Sequence, residues 1–324
     1  MSCSRETRSG RTMVLELGGD GADGPDPGAT PGSTCGTGVL PAIPSAEIRG
    51  RAWRARERAV TARAMLANCH FCAHHCGVNR LAGDLGPCRA GAQARFFLAQ
   101  TEVTDELELI PTFAIALCGC DLRCDFCITG RESWNPRAGG NFNADEMAAK
   151  AITALHRGAR TVMVLGGEPT VHLPATLELV AALPDSSRMV WKTNGHGSAQ
   201  ARELLDDIFD VWVVDYKFGN DACARRLAKI PDYTSIVRKN LLWANEHSEL
   251  IARHLLMPGH LECCWKPVAG WLAESLPGVK VNLRSGFWPA WKAARHPELR
   301  GTVSADETER AWQIAKINGL NLIS

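Results

Sequence analysis

The sequence lacks what several functional classes require. It has no excess of one charge: 36 Lys and Arg stand against 35 Asp and Glu, a formal net charge of +1. That balance removes the electrostatic basis for a nucleic-acid or membrane-surface partner. No apolar run approaches the roughly 18 residues needed to cross a bilayer. The N-terminus offers no signal-peptide core, since the apolar stretch 13–17 is too short and glycine and acidic residues follow it. A cytoplasmic protein is therefore expected. No internal repeat is evident.

Cysteine is abundant instead, with 13 in 324 residues. In a short secreted chain that count would suggest disulfides. A long chain with cysteines at short spacings, in a reducing compartment, points to metal ligation or thiol chemistry. The 45% hydrophobic content is enough for a substantial core.

Residues 1–44 are rich in Gly, Pro, Ser, Thr and Asp and are expected to form a disordered tail, with Cys3 and Cys35 inside it. An N-terminal helix follows over about 45–66 with Ser45 as its cap, then a cysteine-rich segment from Cys69 to Cys88. Together they make a metal-binding cap over 45–105. From 106 to 324 the pattern alternates. Strands are expected at 113–117, 161–165, 189–193, 211–215, 250–257 and 279–283. Helices are expected at 144–156 (capped by Asn143), 175–183, 198–208, 235–246, 267–274 and about 304–317. Six strands alternating with helices imply an α/β fold with a parallel sheet. A partial (β/α)6 TIM-type barrel fits, and an open doubly wound sheet would alternate in the same way.

Directly after the first of these strands lie Cys120, Cys124 and Cys127, spaced CxxxCxxC. Three thiolates on one loop can hold three irons of a [4Fe–4S] cubane and leave the fourth open. The competing readings are a structural zinc knuckle, which prefers four ligands, and a chance cluster. With Phe126 at the aromatic position before the third cysteine, this motif resembles that of the radical S-adenosylmethionine (SAM) superfamily. The resemblance implies that the open iron chelates SAM and passes one electron to it, and that the resulting 5′-deoxyadenosyl radical abstracts hydrogen from a substrate. Gly166, Gly167 and Glu168 after the second strand look like the family's GGE motif, which implies contact with the SAM aminopropyl group. Segments around Asn194, Asp215–Lys217 and Arg253–His260 resemble pyruvate formate-lyase activating enzymes, especially an uncharacterised activating-enzyme-like branch. That likeness implies that Asn194, Asp215, Lys217 and Arg253 line the SAM and substrate cavity. Taken singly, Asp215–Lys217 can be an ion pair and Asn194–Gly195 a turn. Lys192 departs from the pattern, standing where activating enzymes often carry an acid.

Cys69, Cys72, Cys76 and Cys88 supply a second thiol set, interleaved with His70, His74 and His75, and the same branch shares it. The set suits an auxiliary [4Fe–4S] cluster or a tetrahedral zinc, and spacing alone does not select the metal. Cys118 is expected to face the core and Cys223 to be helical and inert. Cys263 and Cys264, near the mouth of the fifth strand, are candidate hydrogen-atom donors to a substrate radical, or metal ligands, or an incidental surface pair. Trp191, Trp212, Trp265, Trp288 and Trp291 form either an aromatic cavity or ordinary packing.

The reading is thus a SAM-cleaving enzyme served by a one-electron donor such as flavodoxin or ferredoxin. It acts as an activase on a glycyl-radical protein or as an epimerase-like enzyme on a small molecule. The alternative from another class is a non-catalytic metal-binding protein.

Overall fold

The computed structural model describes residues 49–103, 106–135 and 137–323. The expected tail over 1–44 and the Ser45 cap lie outside the described residues. In chain order the main elements are α1 (Arg51–Met65), β1 (Arg95–Glu102), β2 (Thr112–Leu117), α2 (Gly130–Trp134), β3 (Gly140–Asn141), α3 (Ala144–His156), β4 (Thr161–Gly166) and α4 (Leu173–Ala181). Then follow β5 (Met189–Thr193), α5 (Ala199–Leu205), β6 (Val211–Asp215), α6 (Asp221–Ala228), α7 (Tyr233–His247), β7 (Glu249–Leu255), a π-helical turn (Leu261–Trp265), α8 (Lys266–Ser275), β8 (Lys280–Arg284), α9 (Ala305–Ile317) and β9 (Asn321–Leu322).

The sheet runs β3-β1-β2-β4-β5-β6-β7-β8-β9. From β2 through β8 every pairing is parallel, so the six expected strands form the expected partial barrel with helices as crossovers. Helix starts follow the sequence chemistry: Asn143 and Ser198 each accept a backbone N–H three residues on, and Ser304 with Glu307 closes a capping box. Unforeseen are α2 and the short β3 and β9, as well as β1, which pairs antiparallel with β2; α6 makes Cys223 helical as expected, although no helix bounds were assigned there. β1 lies within the 45–105 stretch and pairs with β2, which lies outside it.

The two faces of the sheet bury different partners. One parity of strand residues, Val162, Val164, Trp191, Trp212, Val214, Leu250 and Ala252, joins the helices in the main core. The other parity, Met163, Val190, Val211, Val213 and Ile251, forms a separate cluster plugged by Leu109. This is the concave interior, sealed with apolar side chains at its lower end. Trp191 packs with Phe209 at 4.8 Å and Trp212 at 6.0 Å on the helix side, and Trp265 is buried with its indole N–H on the Ala311 carbonyl. Trp288 and Trp291 are exposed. Trp191, Trp212 and Trp265 are therefore core packing residues and Trp288 and Trp291 surface ones, so the five do not form one aromatic cavity.

Trp191→Ala should cost about 3–5 kcal/mol in a denaturant-unfolding measurement, because the surrounding aromatic layer can collapse only in part. A loss below about 1 kcal/mol would show that this layer does not hold sheet and helices together.

Candidate functional site

The loop leaving β2 carries Cys120, Cys124 and Cys127, the first two buried and the third half-buried, all as free thiols. The loop is held from several sides. The N–H groups of Arg123 and Asp125 donate to the carbonyls of Ala228 and Leu227 at the end of α6. The Phe126 ring packs against Phe218 and Phe287, each 6.1 Å away, so its aromatic character orients the loop. Burial pushes the Cys124 thiol up to about 12, with Lys217 opposing the rise. Thiols placed like this need a cationic partner to exist as thiolates, and three of them on one loop can hold three irons of an iron–sulfur cluster and leave the fourth open.

Asp121, fully buried within the same loop, went unnoticed in the sequence. Its carboxylate accepts from Asn194 Nδ2 and from His196 Nδ1, each at 2.7 Å, and its carbonyl bonds His74 Nε2 at 3.0 Å. Burial alone would raise its pKa, but the His196 and Asn194 hydrogen bonds and the His196 charge hold it below the usual carboxylate range. Asn194 also lies 3.8 Å from Cys120 Sγ. One aspartate therefore joins the cluster loop, the loop after β5 and the N-terminal cysteine segment. That segment docks here through its backbone as well: Ala73 N–H donates to the His196 carbonyl and Ser198 N–H to that of Phe71.

The Gly166–Glu168 turn sits against the same loop. Gly167 N–H donates to Leu117 O and Glu168 N–H to Gly119 O. A Cβ on Gly167 would overlap the Gly119 carbonyl oxygen, so only glycine permits this approach. Glu168 is buried. Its Oε1 accepts from Thr170 N at 3.1 Å, Thr170 Oγ1 at 2.6 Å and Thr193 Oγ1 at 2.7 Å, and its Oε2 from Asn194 N at 2.8 Å. Burial and the nearby Asp121 push its pKa up to about 7. The carboxylate ties two strand-end loops together and is largely occupied in doing so.

At the upper end of the interior the lining turns ionic. Asp215 pairs with Lys217 and with Arg253 Nη1 at 2.9 Å. Lys192 meets Glu106 Oε2 at 2.9 Å, and Arg253 Nε lies 3.4 Å from Glu106 Oε1. Glu106, fully buried in the stretch before β2, thus answers the unusual Lys192. Burial opposes ionisation of Asp215, yet Lys217 and Arg253 hold it far below the normal range.

In the N-terminal segment Cys69, Cys72 and Cys88 are buried and Cys76 half-buried, all free. The buried Arg80 spans the segment, with Nη1 donating to Val171 O at 2.6 Å and lying 3.8 Å from Cys69 Sγ. A Cβ on Gly86 would press on Cys76 Sγ. Burial raises the Cys72 and Cys88 thiol pKa, and Cys69 lies near enough to both to add to the rise, but these four residues do not come together at the spacing of a single-ion site. Cys263 and Cys264 stand apart from the cluster loop, turned toward Cys223 and His260.

Two outcomes are expected. Gly167→Ala should cost about 1–3 kcal/mol from overpacking against backbone, read as a lowered unfolding midpoint. Asp215→Asn should cost about 3 kcal/mol, because Lys217 loses the counter-charge it is paired with and Arg253 loses one of its partners. Since the Asp215 pKa is depressed on folding, its contribution is present at neutral pH and falls as pH drops below about 4. In a pH–stability series the variant should lack that acid-side loss, and an unchanged loss would place it elsewhere.

The chain matches the Radical SAM superfamily over residues 115–272. It is 32% identical over 272 residues to an uncharacterised protein of Methanocaldococcus jannaschii, covering 81% of this chain and 78% of that one. Over 111 residues it is 32% identical to the 7-carboxy-7-deazaguanine synthase of Pyrobaculum aerophilum, covering 34% of this chain and 48% of that one. Among solved structures, SuiB of Streptococcus suis bound to S-adenosylmethionine superposes with a TM-score of 0.48 at 18% identity, over 63% of this chain and 47% of SuiB. The chain thus spans about half the length of the synthase and of SuiB. The matched region runs from β2 to α8 and takes in the cysteine loop, the Gly166–Glu168 turn and, of the ionic mouth, Lys192, Asp215, Lys217 and Arg253, and the chain belongs to the radical SAM superfamily.

Proposed function

We propose that the chain is an enzyme that binds a [4Fe–4S] cluster at Cys120, Cys124 and Cys127 and abstracts hydrogen from a substrate seated in the ionic upper interior. One observation carries this reading: the three thiols and the charged wall share one mouth, close enough that Lys217 and Cys124 act on each other's ionisation. When bound, the cluster supplies the open iron and the electron that cleave SAM to methionine and a 5′-deoxyadenosyl radical. The protein's part is positioning. Asn194 orients Cys120 and Asp121, Glu168 fixes the turn beside them, and Phe126 holds the loop in its packed pose. Lys192, Lys217 and Arg253 pair with Glu106 and Asp215 at the mouth, so a substrate there would meet side chains of both signs. A flavodoxin- or ferredoxin-type donor would deliver the electron. Cys69, Cys72, Cys76 and Cys88 would hold a second cluster or a zinc, and their link to the first loop through His74 and Asp121 favours a cluster in electronic reach of the first.

The test is anaerobic reconstitution with iron and sulfide, followed by assay for 5′-deoxyadenosine with SAM and dithionite. The wild type should form it, and a Cys120/Cys124/Cys127→Ala variant should form none above background. Iron retained by that variant would locate a second cluster at the N-terminal thiols. A fully reconstituted wild type that forms no 5′-deoxyadenosine, with or without candidate substrates, would overturn the reading.

A further inference from the structure

Away from the cluster loop, Cys223, His260, Cys263 and Cys264 bring one ligand atom each to within 4.8 Å of one another. They come from two elements. His260, Cys263 and Cys264 fall at i, i+3 and i+4 around the π-helical turn after β7, where both Cys264 N–H and Trp265 N–H donate to the His260 carbonyl. That spacing places all three on one face. Cys223 comes from the first turn of α6. Asn220, the cap of α6, clamps the two elements together. Its Oδ1 accepts from Cys223 N at 2.8 Å, and its Nδ2 donates to the Cys263 carbonyl at 2.6 Å. Gly219 allows the approach, since a Cβ there would overlap the Cys264 carbonyl oxygen.

The spacings are those of a mononuclear site. Zinc–sulfur bonds of about 2.3 Å and zinc–nitrogen bonds of about 2.0–2.1 Å at tetrahedral angles put sulfurs about 3.8 Å apart and nitrogen about 3.5 Å from sulfur. The structure has Cys223 Sγ to Cys263 Sγ at 3.8 Å and Cys263 Sγ to Cys264 Sγ at 3.9 Å. His260 Nδ1 lies 3.3 Å from Cys263 Sγ and 3.4 Å from Cys264 Sγ. The surroundings suit it too. Glu298 Oε1 lies 3.8 Å from His260 Nε2, the ring nitrogen that would carry the proton when Nδ1 binds metal. Arg226, which pairs with Glu298, also lies 3.3 Å from Nε2, and because a guanidinium only donates, metal binding through Nδ1 would require it to turn from Nε2 toward Glu298. We propose that Cys223, His260, Cys263 and Cys264 form a closed Cys3His zinc site that staples the start of α6 to the turn after β7. A thiolate bound to zinc has no S–H to give, so this role replaces hydrogen-atom donation by Cys263 and Cys264. The site does not depend on SAM cleavage, and its test leaves activity aside.

The test is zinc content and zinc X-ray absorption on full-length protein purified anaerobically. Wild type should hold a zinc that a Cys223→Ser/Cys263→Ser variant lacks and a Cys69→Ser/Cys72→Ser variant keeps. Absorption on that second variant should show three sulfurs and one nitrogen around zinc. It reads the site directly even where the Cys223→Ser/Cys263→Ser variant fails to fold. The proposal is overturned by equal zinc in wild type and that variant, by all-sulfur coordination, by iron at this site, or by a metal-free Cys223–Cys263 disulfide found by mass spectrometry.

Discussion

The mouth of this barrel depends on the period-two alternation of its parallel strands. Each central strand buries both faces, but against different neighbours. Val190, Val213 and Ile251 continue two residues later, with the same parity, as Lys192, Asp215 and Arg253. The interior therefore changes from apolar below to ionic above without any break in pattern. A one-residue slip of β5, β6 or β7 would turn those charges into the layer of Trp191, Trp212 and Val214. The strand pairing that places Asp215 beside Arg253 thus fixes the site's chemistry and the fold together. The buried charges persist because each has a partner, with Glu106 reaching in to meet Lys192 and Arg253.

A second constraint acts through Asp121. A fully buried carboxylate is costly unless its lone pairs are occupied. Here the donors come from two separated parts of the chain, His196 and Asn194 after β5 and, through the backbone carbonyl, His74 in the N-terminal segment. Moving any one of the three pieces would leave the others with unpaired buried groups. The two cysteine sets are thereby held in fixed relation although more than 30 residues separate Cys88 from Cys120. The purely local bonds within either loop could not achieve this.

Much of the fold was legible because period and capping agree locally. The six parallel strands and the Asn143, Ser198 and Ser304 helix starts follow from alternation and cap chemistry. β1 was missed because it is half-exposed and follows a cysteine-rich stretch with no periodicity. For α6 only the helical state of Cys223 was read and no bounds were given, because eight residues are too few for a periodic pattern to stand out although the helix is amphipathic. In the site, the three-cysteine loop, the glycine turn and the ionic residues were visible as motifs. Asp121, His74, His196 and Glu106 were not, because their importance comes from long-range pairing that no local pattern encodes. Cys223 was expected to be inert for the same reason. Only the fold brings it to His260, although the i, i+3, i+4 spacing of His260, Cys263 and Cys264 was there to be read.

α6 also connects the three-cysteine loop with the proposed zinc site. An isolated helix of eight residues is unstable in water, so α6 must be held at both ends. At its start Asn220 caps it and Cys223 faces His260, Cys263 and Cys264. At its end Lys229 closes the helix in a left-handed conformation and reaches Asp125 at 3.1 Å, while the carbonyls of Leu227 and Ala228 take the N–H groups of Asp125 and Arg123. The residues between Cys120 and Cys127 are therefore suspended partly from this helix. An open-iron cluster needs its three thiolates to keep one geometry while SAM enters and products leave. A closed metal site at the far end of α6 would provide that rigidity without placing a fourth ligand near the open iron, which a stiffer cluster loop rich in donors could not do.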